Sequence, residues 1–224
     1  MSNGAIVTMK TLERLPEIES LRRLLQSLAM LDAIIMPEWQ YRYYSFNALW
    51  SEKEMMASMR DGTGDNYFIL FSDAGVVIKG FERYSPLGSF IEKTGKPYPG
   101  IFAGMPELLT PFLSEPAFEV QQTTFGIWRL TSASSWCGGQ IDWSTLDAAA
   151  SELELLNIVV GGPEYYKTWA EEYYERNVPI ETIRQIFSFL PLKAEMVCSL
   201  NPDITLPELQ DDIKEIGYPV AAEV

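Results

Sequence analysis

The stretch NYFILFSDAGVVIKGF, residues 66–81, decides the fold class. NYFILF is an apolar run of strand length with aromatic residues, and VVIKGF is a second apolar run with three β-branched residues. Between the two runs, residues 72–75 read SDAG, which is a turn sequence. We therefore predict an antiparallel β-hairpin that turns at residues 73–75.

The preceding loop, DGTGD at residues 61–65, has the composition of a phosphate- or metal-binding loop. A P-loop needs a strand before the glycines and a lysine at the start of the following helix, whereas here a strand follows the loop. An EF-hand loop that begins at Asp61 would have Asn66 at the glycine position and Ser72 at the position of the bidentate glutamate. We therefore predict a turn that Asp61 and Asp65 stabilise, with no metal and no cofactor.

Before this loop, residues 16–35 are predicted to form an amphipathic helix that begins at Pro16 and ends before Pro37. The alternating aromatics of EWQYRYYSFNALW, at residues 38–50, predict a strand. Its aromatic surface is either core or a binding face, and the sequence leaves both open. SEKEMMASM, at residues 51–59, is predicted to be a short helix with Ser51 as its N-cap.

The rest of the chain indicates a few more strands followed by helices. Residues 118–131 are predicted to form a strand with a bulge at Gly126, and the chain from residue 161 is predicted to be helical as far as Gly217. The remaining predictions are a long loop at residues 82–106, a short helix at 106–113, and a helix at 145–160 that ends as a strand.

Together these patterns predict an α+β fold: an N-terminal helix, an antiparallel β-sheet, and a helical C-terminal part packed on the sheet. Residues 1–224 are predicted to be a single domain, in which residues 1–15 are poorly ordered. No linker, repeat or low-complexity segment interrupts the sequence.

Composition and cysteine usage favour a soluble, cytoplasmic protein. The 224-residue chain is 47% hydrophobic, enough to build a core without disulfides. Its two cysteines, Cys137 and Cys198, lie far apart and form no C-x-x-C motif, which is typical of a reducing compartment. The first residues lack the basic and apolar regions of a signal peptide, and no apolar run approaches the roughly 18 residues of a membrane helix.

The charge predicts the kind of partner. The chain carries 31 acidic and 17 basic residues, a net charge of −14, and its last 74 residues hold 14 acidic and 5 basic residues. Such a charge repels nucleic acids and anionic membranes, so we expect neither as a partner. It attracts a basic protein, although the same charge is also explained by solubility alone.

Most enzyme classes are disfavoured by the residue types that the chain lacks. It contains no histidine, which removes the Ser-His-Asp and Cys-His mechanisms and the H-E-x-x-H zinc sites. No G-x-S-x-G, G-x-G-x-x-G or Walker A sequence occurs. Cys137 has no basic neighbour in sequence to activate its thiol. Carboxylate chemistry remains open, so an enzyme is less favoured than a non-catalytic protein but is not excluded.

Three long strings resemble a family of small bacterial proteins of unknown function. They are PEWQYRYYSFNALWSEKEMMASMRDGTGDNYFILFSDAGVVIKGFE, PGIFAGMPELLTPFLSEPAF and YYKTWAEEYYE, and the resemblance covers most of residues 30–200. It implies a bacterial, single-domain, non-secreted protein. Because the family has no settled activity, it implies no catalytic residues.

Two functional hypotheses follow. The first is a non-catalytic, acidic protein that binds a basic partner, as an immunity protein binds a toxin. The alternative is a small enzyme that uses carboxylates and aromatic residues on a sugar or another small substrate.

For the first hypothesis, the candidate binding residues lie in the acidic C-terminal third. Helical spacing places the first three of them away from the core face that Trp169 and Tyr173 share. The last two are predicted to lie mid-helix, where the helix dipole does not favour acidic residues. The candidates are Glu171, Glu172, Glu175, Asp211 and Asp212.

Overall fold

A computed structural model describes residues 4–5, 9–142 and 153–222. The chain divides into two compact units: unit 1 comprises Met1–Ile18 and Ser58–Leu156, and unit 2 comprises Glu19–Ala57 and Asn157–Val224. The fold class is α+β, as predicted. Whether the two units unfold together is a thermodynamic property, so the single domain over residues 1–224 stays a prediction.

The strands of the described residues form two sheets. They are β1 Gly4–Ala5, β2 Tyr44–Asn47, β3 Met55–Arg60, β4 Asn66–Phe71, β5 Gly75–Phe81, β6 Phe125–Leu130, β7 Cys137–Gly138 and β8 Gln140–Ile141. Six of them form one antiparallel sheet in the order β2-β3-β4-β5-β6-β7. The short strands β1 and β8 pair with each other in unit 1.

The central hairpin confirms the prediction from residues 66–81. Strands β4 and β5 pair antiparallel with Ile69 opposite Ile78, and Ser72 and Gly75 exchange backbone hydrogen bonds that close the turn. Gly75 is required at this turn, because a Cβ there would lie 2.2 Å from the carbonyl oxygen of Arg129. Five consecutive residues of β4 are buried, which explains why the sequence shows a continuous apolar run instead of an alternation.

Two predictions upstream of this hairpin are wrong. Residues 51–59 do not form a helix, because Met55–Arg60 is strand β3. The Ser51 hydroxyl does bind the Glu54 carboxylate, at 3.1 Å, but this contact lies in a bend before the strand. Trp39–Tyr41 is a 3₁₀ helix, and the predicted strand begins only at Tyr44. At residues 51–59, strand pairing overrode a helical pattern that is short enough to fit either structure.

The predicted strand at residues 118–131 is shorter than expected. Strand β6 begins at Phe125, and its register with β5 is regular, with Lys79 opposite Gly126, so there is no bulge between these two strands. A Cβ at Gly126 would lie 2.6 Å from the ring of Phe102. The glycine is therefore explained by the close approach of the Phe102 ring to the backbone and not by an irregular backbone.

Residues 82–106 contain a helix where a long loop was predicted. Helix α3, Pro86–Thr94, has Pro86 in its first turn and ends at Gly95, which adopts φ +68°. The Ser85 hydroxyl caps the helix by accepting a hydrogen bond from the Gly88 amide at 2.9 Å. These are ordinary helix start and stop signals, but the glycines and prolines around them obscured the pattern. The short helix predicted at 106–113 is the 3₁₀ helix Glu107–Ser114.

The N-terminal helix and the C-terminal helices are present as predicted. At the N-terminus, where poor order was predicted, Met9–Arg14 is helical and Leu15 is buried. Of the segment predicted at 145–160, residues 145–152 lie outside the described residues, and 153–160 are 3₁₀ and α-helical instead of ending as a strand. The α-helices are α1 Met9–Arg14, α2 Ile18–Ile35, α3 Pro86–Thr94, α4 Asn157–Tyr173, α5 Ile180–Phe187, α6 Ala194–Leu200 and α7 Gln210–Ile216, with a break inside α4 at Gly162.

Candidate functional site

A groove of about 460 Å³ lies in unit 2, at the C-terminal end of α2. We call it the acidic groove, because its lining carries four carboxylates and two arginines. It is formed by the end of α2, the loop that follows it, the segment after α4, the segment between α6 and α7, and the start of α7. The lining residues are Ile35, Met36, Pro37, Glu38, Arg42, Arg176, Asn201, Asp203, Ile204, Glu208, Leu209 and Asp212.

Both arginines of the acidic groove are bound to the chain itself. Arg42 donates to the carbonyl oxygens of Met36 at 2.9 Å and Pro37 at 2.7 Å, and it forms an ion pair with Asp212. Arg176 donates to the carbonyl oxygen of Ile35 at 3.0 Å. The last carbonyls of a helix have no partner within the helix, so these guanidinium groups satisfy the end of α2.

Of the four carboxylates of the acidic groove, two are bound within the chain and two are not. Asp212 is paired with Arg42, and Glu208 accepts hydrogen bonds from the amide and hydroxyl of Thr205, at 2.8 and 2.6 Å. These two bonds lower the pKa of Glu208. Glu38 and Asp203 are exposed, and their carboxylates have no hydrogen-bond or ion-pair partner within the described part of the chain. Within the described residues, the acidic groove therefore presents two unpartnered carboxylates, whereas both of its arginines are hydrogen-bonded to the chain.

Aromatic residues adjoin the acidic groove. The 3₁₀ helix Trp39–Tyr41 lies in sequence between the groove residues Glu38 and Arg42, and its Trp39 and Tyr41 are 56% and 57% exposed. The aromatics that follow are directed inward, so the stretch at 38–50 is partly surface and partly core. The Tyr43 ring lies 4.8 Å from Trp169 and 5.0 Å from Tyr173, and Tyr44 and Phe46 are buried.

A buried carboxylate holds the chain directly after Arg42. Asp32 is fully buried on α2, and it accepts hydrogen bonds from the amides of Tyr43 and Tyr44, at 3.0 and 2.8 Å, and from the Tyr166 hydroxyl at 2.8 Å. Burial raises the pKa of Asp32 to about 6, against the opposing effect of these hydrogen bonds. No solvent-exposed atom remains for a substrate to contact, so we assign Asp32 a structural role.

Of the five predicted binding residues, Asp212 lines the acidic groove. Its position in the helix differs from the prediction. Asp211 and Asp212 lie in the first turn of α7 and not mid-helix, because the preceding turn is a separate 3₁₀ helix, Leu206–Leu209. Acidic residues are favoured at a helix start, so the dipole explains part of this charge. Asp211 is exposed and lies outside the groove lining.

The predicted residues Glu171 and Glu172 lie at the end of α4 and Glu175 lies just after it, and the three divide into bound and exposed residues. Glu171 is half-buried, pairs with Lys167 and accepts a hydrogen bond from the Val178 amide at 3.0 Å, so it connects α4 to the segment that follows. Glu172 and Glu175 are exposed. Glu175 has a positive φ of 51° and directly precedes Arg176, so it lies next to the groove in sequence.

Sequence reasoning missed Glu38 and Asp203, the two free carboxylates of the acidic groove. Glu38 follows the proline that ends α2 and precedes the exposed aromatics, and this combination was an available signal. Asp203 follows α6 in a short loop and carries no comparable signal. Its role depends on packing that brings residues distant in sequence to one groove.

The DGTGD loop is the predicted turn. The Asp61 carboxylate accepts hydrogen bonds from the amides of Thr63 and Gly64, at 2.8 and 2.9 Å, and the Asp61 amide donates to the carbonyl of Asp65. Strand β3 precedes the loop, so it connects two strands instead of a helix and a strand. Within the described residues, no group of three or more cysteine, aspartate or glutamate side chains could hold a metal ion.

Comparisons with family models, with curated proteins and with solved structures find no match for this chain. The resemblance to small bacterial proteins of unknown function therefore stays a prediction. In the described ranges, no helix combines the length and apolar character that crossing a membrane requires.

Proposed function

We propose that this is a non-catalytic, immunity-like protein that binds a basic protein partner through the acidic groove. The observation that carries the proposal is a difference within the groove: Arg42 and Arg176 are hydrogen-bonded to the end of α2, whereas the carboxylates of Glu38 and Asp203 have no partner among the residues that the structure describes. A bacterial origin and a cytoplasmic location, both expected from the sequence, belong to the same proposal.

The groove has the chemistry that recognises an arginine or lysine side chain. A cation from the partner gains charge-assisted hydrogen bonds to Glu38 and Asp203 without displacing an existing ion pair. Trp39 and Tyr41 supply the aromatic surface that carries much of the binding energy in protein interfaces and that favours a neighbouring cation. The net charge of −14 adds long-range attraction, which accelerates association.

The proposal is tested by titrating the protein with a (Gly-Arg)₄ peptide as a basic probe and measuring the affinity by calorimetry. The informative variant is Glu38→Gln with Asp203→Asn, which removes only the two free charges of the groove. The matched control is Glu52→Gln with Glu107→Gln, which removes two exposed carboxylates that do not line the groove.

We expect the groove variant to bind the peptide at least about tenfold more weakly, since the loss of even one charge-assisted contact is worth about 1.4 kcal/mol. The control should stay within about twofold of the unmodified protein, because it changes only the long-range field. Equal weakening by both variants would show that binding follows net charge alone and would overturn the proposal.

A further inference from the structure

A second cavity of about 460 Å³ lies in unit 1 and has different chemistry. It is formed by α3, the end of β5, the DGTGD turn and the segment before β6. Its volume falls within the range of about 300–1,000 Å³ that small-molecule sites occupy. The lining residues are Gly64, Phe81, Arg83, Gly88, Ile91, Glu92, Gly95, Gln121 and Gln122.

The cavity carries one cation and one anion, and both are largely free. The Arg83 backbone is fixed by a hydrogen bond from its amide to the Asp65 carboxylate, at 2.7 Å. Its guanidinium has five donors but, among the described residues, makes one long contact, to the carbonyl of Thr63 at 3.4 Å. Glu92 is exposed on α3, and its carboxylate has no partner in the described ranges of the chain.

The walls that hold these two charges are fixed by packing. A Cβ at Gly88 would lie 2.3 Å from the carbonyl oxygen of Arg83, so the glycine allows α3 to approach the end of β5 closely. In the segment before β6, the Gln122 carbonyl accepts a hydrogen bond from the buried Lys79 ammonium at 2.9 Å, and this ammonium also binds Asn66 at 3.1 Å. Phe81 and Ile91 supply the apolar part of the lining.

The charges around the cavity decide which ligand it fits. A simple anion at Arg83 would lie close to the carboxylate of Asp65, which accepts a hydrogen bond from the Arg83 amide at 2.7 Å. Burial and repulsion from Asp65 and Glu154 raise the pKa of Glu82 to about 7. A simple cation at Glu92 would leave the guanidinium of Arg83 without a partner. A ligand that carries both charges satisfies both residues and is insensitive to the net charge of the protein.

We propose that this cavity binds a small zwitterion with an apolar side chain, namely a free α-amino acid or a dipeptide. The ligand carboxylate binds Arg83, the ammonium group binds Glu92, and the side chain packs on Phe81 and Ile91. This site is separate from the acidic groove, and the proposal does not depend on the proposed function.

The test is calorimetric titration of the full chain with leucine, phenylalanine and the dipeptide Leu-Leu, each at up to 10 mM. The single-charge analogues 4-methylpentanoate and 3-methylbutylamine serve as ligand controls. We expect at least one zwitterion to bind, and both analogues to bind at least about tenfold more weakly, because each lacks one charge-assisted contact. A preference among the three distinguishes a free amino acid from a peptide.

Variants then locate the ligand. Arg83→Gln and Glu92→Gln should each weaken binding at least about tenfold, whereas the exposed controls Lys93→Gln and Glu107→Gln should leave it unchanged. The proposal is overturned if none of the three zwitterions binds, if an analogue binds equally well, or if the cavity variants behave like the controls.

Discussion

The two cavities have the same volume of about 460 Å³ but differ in the charged groups that they offer to a ligand: carboxylates in the acidic groove, and both a guanidinium and a carboxylate in the cavity of unit 1. In the acidic groove, Arg42 is bound to the chain through two carbonyls and Asp212, while two carboxylates stay free. In the cavity of unit 1, Arg83 makes one contact of 3.4 Å and is available to a ligand. The charge that a site offers to a ligand is therefore the charge that remains after the groups bound within the fold are subtracted.

The largest expected effect is a difference in the free energy of unfolding between variants of these two arginines. Arg42→Met should lower the free energy of unfolding by about 3 kcal/mol, because it leaves Asp212 unpaired and the end of α2 unsatisfied. Arg83→Met should change it by less than about 0.5 kcal/mol, since its guanidinium is exposed. Urea unfolding of both variants measures the difference, and similar losses in the two would refute the distinction between bound and free charges.

The next effect is the dependence of stability on pH that the buried Asp32 causes. Its folded-state pKa of about 6 exceeds the ordinary value of 3.8, so its contribution to stability is present below about pH 4 and lost as the pH rises through 6. Asp32→Asn keeps an oxygen for the two amides and offers an NH₂ group to Tyr166. Relative to the unmodified protein, this variant should become more stable by about 3 kcal/mol between pH 4 and pH 7.5.

The measurement is urea unfolding of both proteins at these two pH values. Glu82 also has a raised pKa and shifts stability in the same direction, but it is present in both proteins and cancels in their difference. A difference between the two proteins that does not change with pH would contradict the assignment of a buried, titrating Asp32.

A smaller effect on stability is expected for two adjacent glutamates of α4. Glu171 is bound to Lys167 and to the Val178 amide, whereas Glu172 is exposed, so two adjacent glutamates represent the two classes. Glu171→Gln should lower the midpoint of thermal unfolding more than Glu172→Gln does, because the amide of Val178 then loses a charged acceptor. Equal midpoints for the two variants would show that the Glu171 contacts add nothing to stability.

The smallest expected effect is a null result at the DGTGD turn. Asp61 already accepts two backbone amides, so titration with Mg²⁺ or Ca²⁺ should give no heat that depends on this residue. The unmodified protein and Asp61→Asn are compared by calorimetry at equal metal concentrations. Micromolar binding that the substitution abolishes would make this loop a metal site and the turn interpretation wrong.

Much of the fold could be predicted from local patterns. The hairpin at 66–81, the helix that ends before Pro37 and the C-cap at Gly217 each depend on signals within a few residues, and all three are present. Residues 51–59 show where this fails, since a weak helical pattern became strand β3 through pairing with distant residues. Helix α3 was missed although its cap and its glycine stop were both in the sequence.

The candidate site was less predictable than the fold. The acidic character of the C-terminal third led to Asp212, which lines the groove, and to Glu171, which the fold uses internally. Whether a carboxylate is free depends on its neighbours in space, and the sequence does not give these. Glu38 and Asp203 show the consequence, because only the folded chain brings them to one groove.

The most direct test of the central claim is to map the (Gly-Arg)₄ peptide on the isotopically labelled protein by amide chemical shifts. The free carboxylates predict that the perturbed residues concentrate at the end of α2, in residues 38–42, and between residues 201 and 212. The mapping should be repeated with the Glu38→Gln, Asp203→Asn variant, in which these shifts should shrink. Perturbations spread evenly over the acidic surface, or located mainly in unit 1, would contradict the claim.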